Sequence, residues 1–254
     1  MISSAKQSIG VIIQARMESK RLPGKVYKKI LNKHLLEYVI LRVKKAKLVK
    51  KIIVAIPDTK KNAVLLPLIK KNKVDFYLGS LDNVLDRYIK AAEKFKLDLV
   101  VRITADSPLI DPVLIDQIIK KYLNFKNKPD FFFIKEYPFG LGDIEIVRLE
   151  TLKKISRLTE NPFHSEHVVS FISERPDLFK VKVEKAPSEF SRPNLRVCVD
   201  EPLDLVLVKK IFEHFKPKED FNTREILEYL DKNPKIADIN KDIRHNYIIP
   251  KTGN

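Results

Sequence analysis

An α/β fold is predicted, a mostly parallel twisted sheet with helices on both faces, and three observations predict it. Short, near-continuous apolar runs alternate with amphipathic stretches of helical period through the first half of the chain. Runs of that kind suit strands covered on both sides, as the strands of a parallel sheet are. Turn signals close several of them, Pro57-Asp58 and Gly79-Ser80 among others. At 254 residues the chain can build one large core, and no internal repeat or linker divides it.

Taken in order, Ile9–Gln14 reads as a buried strand and Leu35–Leu48 as a helix with apolar residues at helical spacing. Lys51–Ile56 is the next strand. Ala63–Lys71 follows as a helix that Pro67 bounds or kinks. Val74–Leu78 is a short strand, Asn83–Phe95 an amphipathic helix and Leu97–Ile103 a strand. Pro112–Leu123 is a helix with its proline early, where a missing N–H costs least. Asp130–Ile134 is a strand whose three phenylalanines belong to the core. The pattern loosens over 135–145. Beyond it come a strand end at Ile146–Val147 and helices at Leu149–Leu158 and Pro162–Ser173. Strands are expected at Phe179–Val183 and Leu195–Val199, helices at Leu203–Phe215 and Thr223–Leu230, and weak periodicity from Ile236. We read residues 1–254 as one domain.

The one cysteine, Cys198, excludes a disulfide framework and a cysteine-built zinc site, and points to a reducing, cytoplasmic compartment. The first ten residues carry one lysine and no apolar core, so no signal peptide is expected. A net charge of +16 admits a nucleic acid, an anionic surface or an anionic small substrate as partner. The lysines are scattered over expected helix faces and no nucleic-acid motif accompanies them, so no nucleic acid is expected and a solvated basic surface is the simpler reading. No apolar run is long enough to insert in a membrane.

Ligands of open α/β sheets bind outside the carboxyl ends of the strands, and the first strand ends in Gln14-Ala15-Arg16-Met17-Glu18-Ser19-Lys20-Arg21-Leu22-Pro23-Gly24-Lys25. Arg16, Lys20, Arg21 and Lys25, with the Ser19 hydroxyl and Gly24 for close backbone approach, suit a polyanion such as a triphosphate. Neither a P-loop nor a dinucleotide fingerprint is present. Asp106 follows one expected strand, and Asp200 and Asp204 follow another, each before or beside a proline turn. Two such carboxylates can share a magnesium ion, which takes one or two carboxylates plus substrate phosphates. Aspartate is also an ordinary helix cap.

Together these segments resemble the cytidylyltransferases of spore-coat polysaccharide biosynthesis, relatives of the acylneuraminate and 3-deoxy-manno-octulosonate cytidylyltransferases. The resemblance is carried by Gln14–Lys25, by Gly79-Ser80-Leu81-Asp82-Asn83-Val84-Leu85-Asp86-Arg87-Tyr88, by Arg102–Pro112 and by Val199–Leu205, in that order. It implies a nucleotide-diphospho-sugar-transferase (GT-A-like) fold, CTP as substrate, Mg2+ as cofactor, and a homodimer, with a nucleotide-binding half over roughly 9–134 and acceptor and dimerisation elements over roughly 135–190. It further implies that Arg16, Arg21 and Lys25 hold phosphates and that Asp106 and Asp200 hold the metal, with Arg16, Lys25, Asp106 and Asp200 the catalytic set. Gln14, Ala15, Ser19, Gly79, Ser80, Asn83, Asp86 and Arg87 would complete the nucleotide site. Asp143, Glu145, Glu166, His167 and Arg196 would face a sugar-acid acceptor, whose carboxylate Arg192 and Arg196 could pair. One departure is Gly140-Leu141-Gly142-Asp143-Ile144-Glu145, which has an additional glycine and leaves the register of Asp143 and Glu145 open. In His164-Ser165-Glu166-His167, acceptor contact and helix-start chemistry stand side by side, ahead of zinc. The expected reaction is attack of an acceptor hydroxyl on the α-phosphorus of CTP with loss of pyrophosphate. No histidine is clearly placed as a base. Another nucleotide or acceptor, a glycosyltransferase on the same fold, and a non-enzymatic nucleic-acid binder are the alternatives.

Overall fold

The computed structural model describes residues 7–243. Seven strands form one sheet: β1 (Ile9–Gln14), β4 (Ile52–Pro57), β5 (Asp75–Gly79), β6 (Leu99–Thr104), β7 (Phe131–Lys135), β8 (Glu145–Arg148) and β9 (Val181–Lys185). A two-stranded ribbon, β2 (Lys29–Ile30) with β3 (Lys33–His34), lies apart. Around the sheet run α1 (Leu35–Val43), α2 (Leu66–Lys71), α3 (Val84–Lys94), α4 (Pro112–Asn124), α5 (Leu149–Leu158), α6 (Pro162–His167), α7 (Ser170–Glu174), α8 (Pro202–Phe215), α9 (Thr223–Lys232) and α10 (Pro234–Ala237). Among the described residues no helix is long and apolar enough to cross a membrane.

The sheet order is β5-β4-β1-β6-β8-β7-β9. Strands β5, β4, β1 and β6 are parallel, β8 runs antiparallel between β6 and β7, and β9 is parallel to β7. The period of two along each strand divides the core between the faces. Val11 and Ile13 join α1, α4 and α8 in one apolar layer, whereas Ile12 joins α3 and α5 in the other. Phe132 faces the first layer, and Phe131 and Phe133 face the second.

Three expectations need correction. The first helix stops at Val43 because Lys47 and Leu48 donate their N–H groups to the Asp116 carboxylate, which turns the chain back toward β4. The expected helix Pro162–Ser173 is two helices, broken at Val168, whose φ of 53° no helix tolerates. The segment Leu195–Val199 is not a strand of the sheet. β8 occupies the position beside β6, so this apolar stretch crosses the carboxyl end of the sheet instead, with one bridge from Arg196 to Phe139. Its backbone is satisfied there, since Val197 N–H donates to Phe139 O at 2.7 Å and Val199 N–H to Asp106 O at 2.7 Å.

Candidate active site

An open cleft of about 410 Å³ lies over the carboxyl ends of β1 and β6. One wall is the loop after β1. Gly24, in the left-handed region at φ 65°, lets the chain return to a short turn beginning at Lys25, and its N–H donates to the Met17 carbonyl at 3.1 Å. The buried side chain of Asn62 pins the loop from beneath: its oxygen accepts from Met17 N–H, and its amide donates to the Glu18 carboxylate. From this scaffold Arg16, Ser19, Lys20, Arg21 and Lys25 line the cleft, beside Gln14 and Ala15.

The second wall is built from segments distant in sequence. Asp106 follows β6, and the crossing segment brings Asp200 beside it. Lys25 Nζ lies 2.6 Å from Asp106 and 2.5 Å from Asp200, so both carboxylates converge on one cation. Burial pulls the Lys25 ammonium down, but the two carboxylates outweigh it and raise it above its ordinary value. Burial pushes the Asp200 carboxyl up, but Lys25 and then Arg21 and Arg196 outweigh that and hold it well below the ordinary carboxylate range.

Beneath them Asp204, wholly buried, accepts two bonds from the Arg196 guanidinium at 2.9 Å and others from the N–H groups of Asp200 and Glu201. Asn240 donates to it as well. Arg196, expected to face the acceptor, is therefore a correction: its side chain is 4% exposed and is consumed in holding Asp204 and Asp200. Arg192 pairs with Asp231 at 3.0 Å and does not line the cleft either.

The register left open by the additional glycine is visible here. Gly140 has φ 96°, and a Cβ on it would meet the backbone N of Cys198 at 2.5 Å. Only glycine permits that crossing. The Gly140 N–H donates to Asp143 at 2.7 Å, and Asp143 and Glu145 both line the cleft. Loss of hydration pushes the Asp143 carboxyl up to about 7; the Gly140 N–H opposes this, and the charges of Asp106, Glu145 and Asp200 add to it. Glu145 stands directly opposite Arg102 across β6 and β8 and pairs with it at 2.5 Å, while Arg102 also donates to Gln14 at 3.1 Å.

Glu166 and His167, on α6, close the remaining side. Glu166 reaches across to Arg16 at 2.5 Å. Burial pulls the His167 imidazole below its ordinary value; Glu166 opposes this, and Arg102 and Arg16 add to it. Of the 79–87 segment, only Arg87 and Val84 line the cleft. Asn83 caps α3 by accepting from Asp86 N–H, Ser80 accepts from Asn83 N–H and Arg87, Asp86 pairs with Lys90, and Gly79 packs on Arg87. These four residues, expected at the nucleotide, do not line the cleft, and Gly79 and Ser80 hold the Arg87 side chain in place.

The cleft also contains Arg102, Thr104 and Ser170, which the sequence reading did not assign. Arg102 carried a signal, a cation interrupting the apolar run Val100-Val101-Arg102-Ile103 of a buried strand. Ser170 carried none. Cys198 lines the floor, where burial pushes its thiol well up, in keeping with the expected buried small residue.

Asp106 and Asp200 fit a hard divalent cation, because they already converge on one positive charge. Among the described residues no cluster of three or more histidine, cysteine, aspartate or glutamate residues forms a metal cage, so the remaining ligands would be substrate oxygens and water.

Residues 10–236 match the family model described as cytidylyltransferase. The chain is 35% identical over 92% of its length to an uncharacterized protein of Methanocaldococcus jannaschii, covering 94% of that protein. It is 31% identical over 89% of its length to the spore coat polysaccharide biosynthesis protein SpsF of Bacillus subtilis, covering 95% of it. A solved cytidylyltransferase from Leptospira borgpetersenii superposes with a TM-score of 0.87 at 28% identity, over 94% of this chain and 100% of that one. With a cationic loop facing paired carboxylates at the carboxyl end of a nucleotidyltransferase sheet, and with the family model spanning nearly its full length, the chain belongs to the cytidylyltransferase family.

Proposed function

We propose that this cytidylyltransferase joins CMP from CTP to a sugar acid for surface polysaccharide synthesis, releasing pyrophosphate, with magnesium as its metal. The carrying observation is the convergence of Lys25, Asp106 and Asp200 in a cleft flanked by Arg16 and Arg21. A magnesium ion on Asp106 and Asp200, when bound, would polarise the α-phosphate and acidify the attacking hydroxyl. The Lys25 ammonium would neutralise the departing pyrophosphate beside Arg16 and Arg21. Arg21 would do this with a planar fork that matches two phosphate oxygens at once.

Gln14 and Arg87 would meet the nucleoside, with Ala15 and Ser19 beside them. On the other side Asp143, Glu145, Glu166 and His167 offer several hydrogen-bond acceptors, which suits a polyhydroxylated substrate. Arg192 and Arg196 are otherwise engaged, so neither is assigned to an acceptor carboxylate. The spore-coat relative supports a polysaccharide precursor as product. A cytoplasmic homodimer belongs to the same reading, and sedimentation of the purified chain tests the dimer. The test of the whole is pyrophosphate release from each of four nucleoside triphosphates against a panel of sugar acids and sugar phosphates. Release with CTP and a sugar acid is expected; release only with another triphosphate or only with sugar phosphates would overturn it.

A further inference from the structure

The motif His164-Ser165-Glu166-His167 holds a group that the reaction above leaves unused. Glu166 and His167 line the cleft, but His164 is 3% exposed and faces away from it. Its Nδ1 lies 2.8 Å from Ser170 Oγ and its Nε2 lies 2.9 Å from a carboxylate oxygen of Glu174. Ser170 is itself buried and lines the cleft, whereas the Glu174 side chain is 62% exposed. A hydrogen-bonded chain therefore runs from a solvent-facing carboxylate, through a buried imidazole, to one hydroxyl in the site.

The turn that makes this possible is strained. Val168 has φ 53° and ψ −62°, and Val169 N–H donates to the His167 carbonyl at 2.6 Å, a γ-turn centred on a β-branched residue. It breaks what would be a single helix and sets His167, Val169 and Ser170 along the same wall. Strain of this kind persists where the surroundings over-determine it, and here Phe163 and Phe171 pack their ring edges against His164.

The polarity of the chain follows from its end. A carboxylate only accepts, so Glu174 requires the proton on Nε2, and in the neutral ring that leaves Nδ1 bare. In that tautomer Ser170 donates its O–H to Nδ1, which leaves the lone pairs of its oxygen to accept. We propose that Ser170 accepts a hydrogen bond from a hydroxyl of the acceptor substrate, and that His164 and Glu174 are positioning residues that keep its oxygen in that orientation. This rests on the sugar-acid reading above and adds a specificity contact to it. A substrate lacking the hydroxyl would leave a buried oxygen unpaired and be rejected.

Two measurements on the full chain test it. The first is 15N NMR of histidine-labelled protein, with His164 assigned by the signal lost in His164→Gln. A protonated Nε2 and bare Nδ1 are expected, and Glu174→Ala should let the tautomers mix. A protonated Nδ1 in the wild type, or no response to Glu174→Ala, would overturn the positioning role. The second is pyrophosphate release from CTP with 3-deoxy-manno-octulosonate as probe. Ser170→Ala should lower kcat/KM for the probe about tenfold, as loss of one hydrogen bond does, with the KM for CTP unchanged. Glu174→Ala should cost less, and nothing further in the Ser170→Ala background. Additive losses, or an equal change in the KM for CTP, would mean that these residues act only on the fold. Wild-type protein inert toward this probe would count against the sugar-acid reading, and the tautomer measurement would still decide the positioning role.

Discussion

The two walls of the cleft are made in opposite ways. The cationic wall is one unbroken stretch, residues 14–25, whose cations follow directly from the end of β1. The facing wall draws on Arg102, Asp106, the 140–145 loop, the break between α6 and α7, and the crossing segment before α8. The first is local chemistry on a loop. The second exists only when chain segments about 100 residues apart are brought together, and its charges lie over a buried network. Substitutions in the two walls should therefore fail differently, the first by losing ligand contacts and the second, at the residues of its buried network, by losing structure.

The largest effect expected is at the base of the assembled wall. Asp204 is wholly buried and bonded to Arg196, Asn240 and two backbone N–H groups. Asp204→Ala leaves the Arg196 guanidinium buried beside only one carboxylate and should cost about 3–5 kcal/mol in chemical denaturation. A loss below about 1 kcal/mol would show that the network is not what holds this wall.

Asp106→Asn should reduce pyrophosphate release about 100-fold, with an unchanged melting temperature. Asp200→Asn should do the same to rate and also lower stability, because Asp200 carries Lys25, Arg21 and Arg196 together. Equal stability of the two variants would remove that distinction. CTP with magnesium should raise the melting temperature of the wild type and EDTA should abolish most of the gain, worth about 2.7 kcal/mol at a hundredfold excess over Kd.

In the contiguous wall, Arg16→Ala should lose about tenfold in turnover and in CTP affinity with little change in stability, and Arg21→Lys should not be neutral. The control is Lys44→Glu with Lys45→Glu, at the end of α1, which changes net charge in the same direction away from the cleft. If it cripples turnover as Arg16→Ala does, the long-range field and not direct contact explains the loop.

A slope with pH is expected in metal-free protein. Asp143 has an ordinary value of 3.8 and is pushed up to about 7 in the fold. A raised folded value favours the protonated form, so its contribution is full below about pH 4 and is lost as pH rises through 7. Asp143→Asn should flatten unfolding free energy between these limits. An unchanged slope would mean that the carboxyl is solvated.

The elements of the first half were legible because their cues are local: β1 ends where its apolar run does, and Pro112 opens α4 where expected. The loop cations were legible for the same reason. The sequence by itself determined the alternation of strands and helices, the basic loop at the end of β1 and the two aspartates before or beside prolines. Hydrophobic period, turn residues and charge density are properties of short windows of chain. Only the tertiary structure decided that β8 enters antiparallel between β6 and β7, which displaces Leu195–Val199 from the sheet and turns an apolar run into the strap that carries Asp200. It also decided that Arg196 lies under the site and that Ser170 lies within it. A side chain's direction at such positions is set by partners remote in sequence, here Asp204 and His164, and no local pattern encodes that pairing.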